Sequence, residues 1–269
     1  MPGGRLENAW RSARKYLQTG LRSRVGRIEV FLRVPFERFV VLAVELHCHS
    51  EASHDGRDPI ELILAQAEAI GLDAIAITDH DEIEASLAAA DLAPSYGLIG
   101  IPAIEITTAA GHVLGLGVRE RIPSGLSYGE TLARIRDQGG VAIVPHAFQH
   151  SRSGVAPNIT RDELAAADAI EVYNSRLLTG RANRKAEAFA RSRGLPMTAG
   201  SDAHISEMVG QAITLIEADR KDGVEGILEA IREGRTTVEG KRTPWRISFR
   251  QAAGGVKRRI VKRARTFMG

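Results

Sequence analysis

Eight histidines are spread over 269 residues, and three of them fall in the single stretch VELHCHSEASHDG, Val44 to Gly56. If the apolar run before it is a strand, residues i and i+2 face the same side, so His47 and His49 point together and Cys48 points away. A second pair with that spacing, Asp202 and His204, stands late in the chain in GSDAH. Between them lie His80 in ITDHD, Glu105 in AIEIT, His146 in VPH and Asn174 in IEVYN. Imidazole and carboxylate donors without thiolates suit Zn, Mn or Fe and argue against a structural cysteine-rich zinc site. Several carboxylates among the donors favour more than one divalent ion, because a carboxylate can bridge two cations. Glu105 is the expected bridge. Asp55 follows the first pair through a short turn at which Gly56 lets the backbone bend. Any one of these residues alone would be ordinary: a packed histidine, a solvated carboxylate, an asparagine capping a helix. His54 and His150 are read in that way, and Cys48 as a small buried hydrophobe. Two pairs plus the further donors are hard to explain by packing.

These residues need elements to bring them together. From about residue 40 short β-branched runs alternate with Ala/Glu/Leu-rich stretches. VVLAVELHCH, LDAIAITDHD, LIGIPAIEITT, HVLGLGV, VAIVPHA, AIEVYN, LPMTAGSDAH and AITLIEA read as strands. DPIELILAQAEAIG reads as a helix with Asp58 as N-cap, Pro59 first and Gly71 as the stop. EIEASLAAADLAPSYG, GETLARIRDQGG, TRDELAAA, RANRKAEAFARSRG and GVEGILEAIREG read as further helices, with Thr160 and Glu163 in capping-box spacing. The short TAAG between two strands predicts a hairpin. Repeated alternation predicts an α/β fold with a parallel sheet and helices outside it, a (β/α) barrel more than an open sheet. In a barrel the carboxyl ends of the strands meet at one mouth, and nearly every candidate donor ends a strand. No Gly-rich phosphate loop follows the first strand, which argues against a dinucleotide-binding fold.

Composition is that of a globular chain, 43% hydrophobic and 26% charged. No apolar run approaches the roughly 18 residues that cross a bilayer. The N-terminus is basic without the apolar stretch of a secretory signal. The single cysteine excludes an internal disulfide and fits a reducing compartment, so a cytoplasmic protein is expected. The net charge of +3 is unevenly laid out: +6 over residues 1–40, −12 over 41–235 and +9 over 236–269. The expected organisation is a basic N-terminal extension (1–39), a catalytic body (40–240) and a basic C-terminal tail (241–269). Residues 5–28, bearing Trp10, Leu17 and Leu21, and KRRIVKRARTFM at 257–268 have spaced apolar residues among their charges. Such ends suit nucleic acid or an anionic membrane surface, or are solvated tails.

The segments HCHS, HDG, ITDHD, AIEIT, GHVLGLGV, VPH, IEVYNS and GSDAH, in this order over about residues 42–238, resemble the PHP family of metal-dependent phosphoesterases (polymerase and histidinol phosphatase). The resemblance implies a distorted (β/α)7 TIM-like barrel with two or three divalent metal ions, Mn, Fe or Zn, at the strand ends. It implies His47, His49 and Asp202 on a first metal, Glu105 bridging first and second, His146 on the second, and Asp55, His80 and His204 on a third. The family's further ligand on the second metal, often His or Cys after the IEV strand, has no counterpart. Asn174 stands there, and its carbonyl or a water would take that place. His112 matches a recurrent family histidine, with an outer-shell or substrate role. The helical insertion of the nucleotide-phosphatase and oligoribonuclease branch is not evident near GHVLGL.

The implied function is hydrolysis of a phosphate ester by in-line attack of a metal-activated water, with the third ion clamping phosphate oxygens. Asp81 or His112 would protonate the leaving alcohol. Arg176, Arg181 and Asn174 would meet the substrate phosphate. The expected substrate is a phosphorylated small molecule, a phosphomonoester that extends to a nucleotide or short oligonucleotide. Three alternatives remain open: a histidinol-phosphate-type phosphatase, an amidohydrolase-like C–N hydrolase, and a metal-stabilised module binding nucleic acid or membrane through its ends. Amidohydrolase-like barrels also open with His-x-His and use a late Asp, but they generally need a second pair of histidines on mid-barrel strands; here only Glu105 and His146 stand there.

Overall fold

The computed structural model describes residues 40–149, 153–176 and 180–241. The basic ends and His150 lie outside the described residues, as do the expectations placed on them. In chain order the elements are β1 (Val40–Cys48), α1 (Ile60–Ala69), β2 (Ala74–Ile77), α2 (Glu84–Leu92), β3 (Ile99–Ile101), β4 (Ala103–Thr107), β5 (His112–Leu116) and α3 (Tyr128–Asp137). There follow β6 (Val141–Val144), α4 (Arg161–Leu164), β7 (Ala169–Asn174), α5 (Arg181–Arg193), β8 (Met197–Gly200), β9 (Ala212–Ala218), α6 (Gly223–Arg232) and β10 (Thr236–Gly240). No described helix is long and apolar enough to cross a membrane.

The fold is mixed α/β, but the expected single seven-stranded barrel is not what forms. The described strands make two five-stranded sheets, ordered β10-β9-β1-β2-β3 and β4-β5-β6-β7-β8, that do not close into one ladder. In the first, β1, β2 and β3 run parallel while β9 and β10 are antiparallel additions beside β1. In the second, β4, β5 and β6 pair antiparallel and β6, β7 and β8 parallel. Pro102 explains part of the departure. LIGIPAIEITT reads as one strand, but a proline has no N–H for the ladder, and the run divides there into β3 and β4, one in each sheet. The TAAG turn then folds β5 back on β4, with Thr107 opposite His112, as the hairpin reading expects. β10 was not legible in the sequence: it is a polar, largely exposed edge strand with little alternation to reveal it.

The sheets nonetheless meet where the chemistry lies. Cys48 bridges to Ala203 and His80 to Glu105. Backbone N–H groups cross the junction from Asp202 to His47 O (2.8 Å), His49 to Ala203 O (2.8 Å), Glu105 to Asp79 O (3.1 Å) and Asp81 to Glu105 O (2.9 Å). The carboxyl ends of β1, β2, β4 and β8 are therefore neighbours without a continuous barrel.

Apolar side chains from both sheets hold this arrangement. Leu42, Val44 and Leu46 of β1 share a buried cluster with Leu114, Leu116 and Ile143 of the second sheet and with Ile227 and Ile231 of α6. Each such side chain is worth about 1.5–3 kcal/mol when taken from water. Cys48 packs among Ile63, Leu64 and Ile77, as a small hydrophobe would. The helix signals hold in part. Thr160 and Glu163 form the capping box of α4, and Gly71 takes a left-handed conformation (φ +77) just after α1. Asp58, expected as N-cap of α1, instead accepts the backbone N–H of Ser206 at 2.6 Å. The cap position falls to Pro59, without a side-chain bond.

Candidate metal centre

Strand alternation places Glu45, His47 and His49 on one side of β1, and all three are buried. Glu45 accepts backbone N–H groups from His47 (3.1 Å), Ser201 (3.0 Å) and Gly210 (3.0 Å), tying the segment after β8 to β1. Burial pushes its carboxyl up to about 7, against the pull of those hydrogen bonds. At the end of β2, Asp79 receives the N–H and hydroxyl of Ser50 at 2.7 and 2.5 Å, which fixes the turn after His49. Its carboxyl is pushed up to about 6, again by burial.

Glu105 is the centre of the site. Its Oε2 lies 3.5 Å from His47 Nε2, 3.3 Å from His49 Nε2 and 3.2 Å from His80 Nδ1. Its Oε1 lies 2.8 Å from His112 Nδ1 and 3.3 Å from His146 Nε2. Burial opposes its negative charge, but His80, His47 and His112 outweigh burial and hold its pKa well below the ordinary carboxylate range. Asp202 Oδ1 lies 4.0 Å from His47 Nε2, 3.7 Å from His49 Nε2 and 3.4 Å from His204 Nδ1. Asp55 adds Oδ2 at 2.6 Å from His204 Nε2 and Oδ1 at 3.7 Å from His80 Nε2.

Four overlapping sets result, each with donor atoms within 4.8 Å of one another: His49/Asp55/His80/His204, His47/His146/Asp202, His47/His49/Glu105 and His80/Glu105/His112. All eight residues expected as ligands lie in these sets, and His112 joins them. The donor chemistry fits divalent ions. His47 Nε2, both ring nitrogens of His49, His146 Nδ1 and Glu105 Oε2 are buried without a hydrogen-bond partner, and such an atom costs about 1–3 kcal/mol. A cation held by one nitrogen of each ring and by Glu105 Oε2 would remove that cost at the atoms it binds. Histidine protonation alone serves less well: burial and neighbouring imidazoles, His204 foremost, depress the pKa of His49 well below its ordinary value. For His47 burial is overcome by the Glu171 and Glu105 carboxylates, which raise its pKa.

The backbone is bent to suit. Asp81 (φ +54), His146 (φ +33) and Asp202 (φ +51) are non-glycine residues in the left-handed region, a conformation that recurs at functional sites because it re-aims side chains at a cost. At Gly200 a Cβ would lie 2.4 Å from His47 Cβ and 2.6 Å from Glu171 Oε1, so only glycine lets β8 approach β1 here.

The other expected residues are placed unequally. Arg176 reaches the cluster: Nη1 lies 3.1 Å from Asp202 Oδ1 and 3.0 and 2.8 Å from the His204 ring nitrogens. Asn174 turns its amide nitrogen, not its carbonyl, toward Asp202 Oδ2 (3.3 Å) and Glu171 Oε2 (2.9 Å). Its Oδ1 accepts the backbone N–H of Arg176 at 3.1 Å. Asp81 is outside the four sets, with Oδ1 accepting the Thr107 N–H at 2.8 Å. Arg181 is exposed at the start of α5 and, among the described residues, has no hydrogen bond or ion pair to the cluster. His54 is exposed, with its ring 4.8 Å from that of His80. Sequence reasoning missed Glu45, Asp79 and Glu171 as supports. The available signal was a carboxylate inside an apolar strand, as in AIEVYN.

Known proteins are similar to this chain in sequence and fold. The PHP-associated family model matches residues 180–236. An uncharacterised protein of Methanocaldococcus jannaschii is 33% identical over 144 residues, spanning 50% of this chain and 82% of that protein. A phosphoribosyl 1,2-cyclic phosphate 1,2-diphosphodiesterase of Eggerthella lenta is 36% identical over 86 residues, 30% of this chain and 32% of its own length. Among solved structures, a two-domain protein of Bacteroides vulgatus containing a predicted PHP-like metal-dependent phosphoesterase superposes with a TM-score of 0.64 at 22% identity, over 82% of this chain and 70% of that one. On this similarity of sequence and fold, the chain belongs to the PHP family.

Proposed function

We propose that the chain is a metal-dependent hydrolase of phosphate esters, with its activity in residues 40–240. The observation that carries this reading is the gathering of nine donor residues into four overlapping sets, in which His47, His49, His80, Glu105, His112 and His146 each present a buried atom without a hydrogen-bond partner. Similarity to the Eggerthella diphosphodiesterase supports a phosphate ester as the bond cleaved. His47, His49, Glu105, His146 and Asp202 would hold one or two ions, and Asp55, His80 and His204 another. Divalent ions at these positions would activate a water for attack and polarise the phosphoryl group.

The remaining work falls to the chain itself. Arg176, at the edge of the cluster on Asp202 and His204, binds and orients a phosphate oxygen by charge-assisted hydrogen bonds. Asn174 holds Asp202 and the Arg176 backbone in register for that task. Arg181, exposed nearby in sequence, steers the anion inward. His112, whose Nδ1 faces Glu105, carries a proton on Nε2 and delivers it to the leaving alcohol. Asp81 is the alternative donor, but its carboxylate is engaged by Thr107. The substrate class we assign is a phosphomonoester, including nucleotides and the end of a short oligonucleotide.

The test is phosphate release by the manganese-loaded protein on phenolic phosphate, mononucleotides, nucleoside bisphosphates, histidinol phosphate and short RNA, with an amide substrate as control. Release on at least one phosphate ester, lost in His47→Ala, is expected. Turnover of the amide alone, or undiminished release by His47→Ala, contradicts the reading.

A further inference from the structure

We infer that Glu171 is a positioning residue that aligns His47, His146 and Asp202 from behind the metal centre. The inference rests on the reading of the cluster as a metal site, and extends it to a residue that belongs to none of the four donor sets. Glu171 lies on β7 and is 1% exposed. Both its oxygens are used. Oε1 lies 2.8 Å from His47 Nδ1. Oε2 accepts the backbone N–H of His146 at 2.9 Å and Asn174 Nδ2 at 2.9 Å. Asn174 in turn donates to Asp202 Oδ2 at 3.3 Å.

Each bond has a consequence for the cluster. An ionised carboxylate only accepts, so the pair with His47 places the ring proton on Nδ1. That leaves the lone pair on Nε2, the atom that faces Glu105 Oε2 and Asp202 Oδ1. A carboxylate behind a ligating histidine fixes its tautomer and orientation and strengthens it as a donor. His146 is held at φ +33, a left-handed conformation that costs an L-residue about 1 kcal/mol or more. The bond from its N–H to Glu171 keeps the chain in that turn, which carries the His146 ring to Glu105. The third bond reaches Asp202 through Asn174. One carboxylate thus sets a tautomer, a backbone turn and a carboxylate orientation, on three different segments. Gly200 makes room for it: a Cβ there would meet Glu171 Oε1 at 2.6 Å.

The discriminating variant is Glu171→Gln. It keeps the volume but replaces one acceptor by a donor. An amide nitrogen facing His146 N–H and Asn174 sets donor against donor. An amide nitrogen facing His47 donates to Nδ1 and moves the ring proton to Nε2. The expected result is a fall of about 10- to 100-fold in Mn or Zn affinity, read by chelator competition. In the metal-free protein, at a pH above the raised pKa of His47, imidazole 15N NMR is expected to show Nδ1–H for His47 in the wild type and loss of that signature in Glu171→Gln. Glu171→Asp, which restores the charge on a shorter arm, recovers part of the affinity and the Nδ1–H signature. If circular dichroism shows Glu171→Gln unfolded, Glu171→Asp decides, with an affinity between wild type and the predicted loss. Wild-type affinity and an unchanged His47 tautomer in the folded variant overturn the inference. A wild type that binds no metal overturns the phosphoesterase reading instead, and the tautomer readout then decides Glu171 alone.

Discussion

Glu105 meets five imidazoles within 3.5 Å, from His47, His49, His80, His112 and His146. A single buried anion in that position lets cations approach without leaving its own charge unpaired. Removing the charge while keeping the shape should therefore be severe. Glu105→Gln is expected to lower phosphate release by about 100-fold or more and to lower bound metal in parallel, measured by steady-state assay and elemental analysis of one preparation. Full activity in a folded Glu105→Gln would contradict its central place. At this scale the sequence was informative for a definite reason. A strand repeats every two residues, so His-x-His and Asp-x-His announce shared faces without any tertiary knowledge. Glu171 stood out as a carboxylate in an apolar strand, but its partner was not legible: His47 is 124 residues away, and no local spacing records that contact. The side of Asn174 that faces Asp202 was equally beyond reach, since an amide presents a donor or an acceptor according to its neighbours.

The elements that carry these residues follow local rules where their ends are local. Thr160 caps α4 because its side chain and that of Glu163 satisfy each other's backbone N–H groups. Thr160→Ala should cost about 1 kcal/mol, seen as a melting temperature lower by roughly 2–4 °C, with bound metal unchanged because α4 contributes no member of the cluster. A loss of metal in this variant would show that the site depends on α4. Where an element's place depends on distant chain, local rules gave less. Pro102 marked a break but not that β3 and β4 would join different sheets. Asp58 had the spacing of a helix cap, yet the Ser206 N–H took it. The antiparallel β9 and β10 beside β1 lie outside the strand–helix alternation on which the barrel expectation was built.

For the molecule as a whole, the decisive feature is the junction between two sheets that do not close. His47, His49, Asp55 and His80 belong to the first sheet and its following turns, whereas Glu105, His112, His146, Asp202 and His204 belong to the second. Ions bound by both groups act as cross-links, so metal binding should stabilise the fold itself. At a free metal concentration about 100 times the dissociation constant the linkage is worth about 2.7 kcal/mol, or roughly 5–10 °C in melting temperature. Stripping metal with a chelator is expected to lower the melting temperature by that amount, and restoring Mn or Zn to recover it. An unchanged melting temperature would mean that the junction holds without ions. The most direct test of the central claim is the metal content of the purified chain by elemental mass spectrometry after loading and desalting. Two or three divalent ions per chain in the wild type, with at least one lost in His49→Ala, is the predicted result; a wild-type chain that retains none would contradict the account.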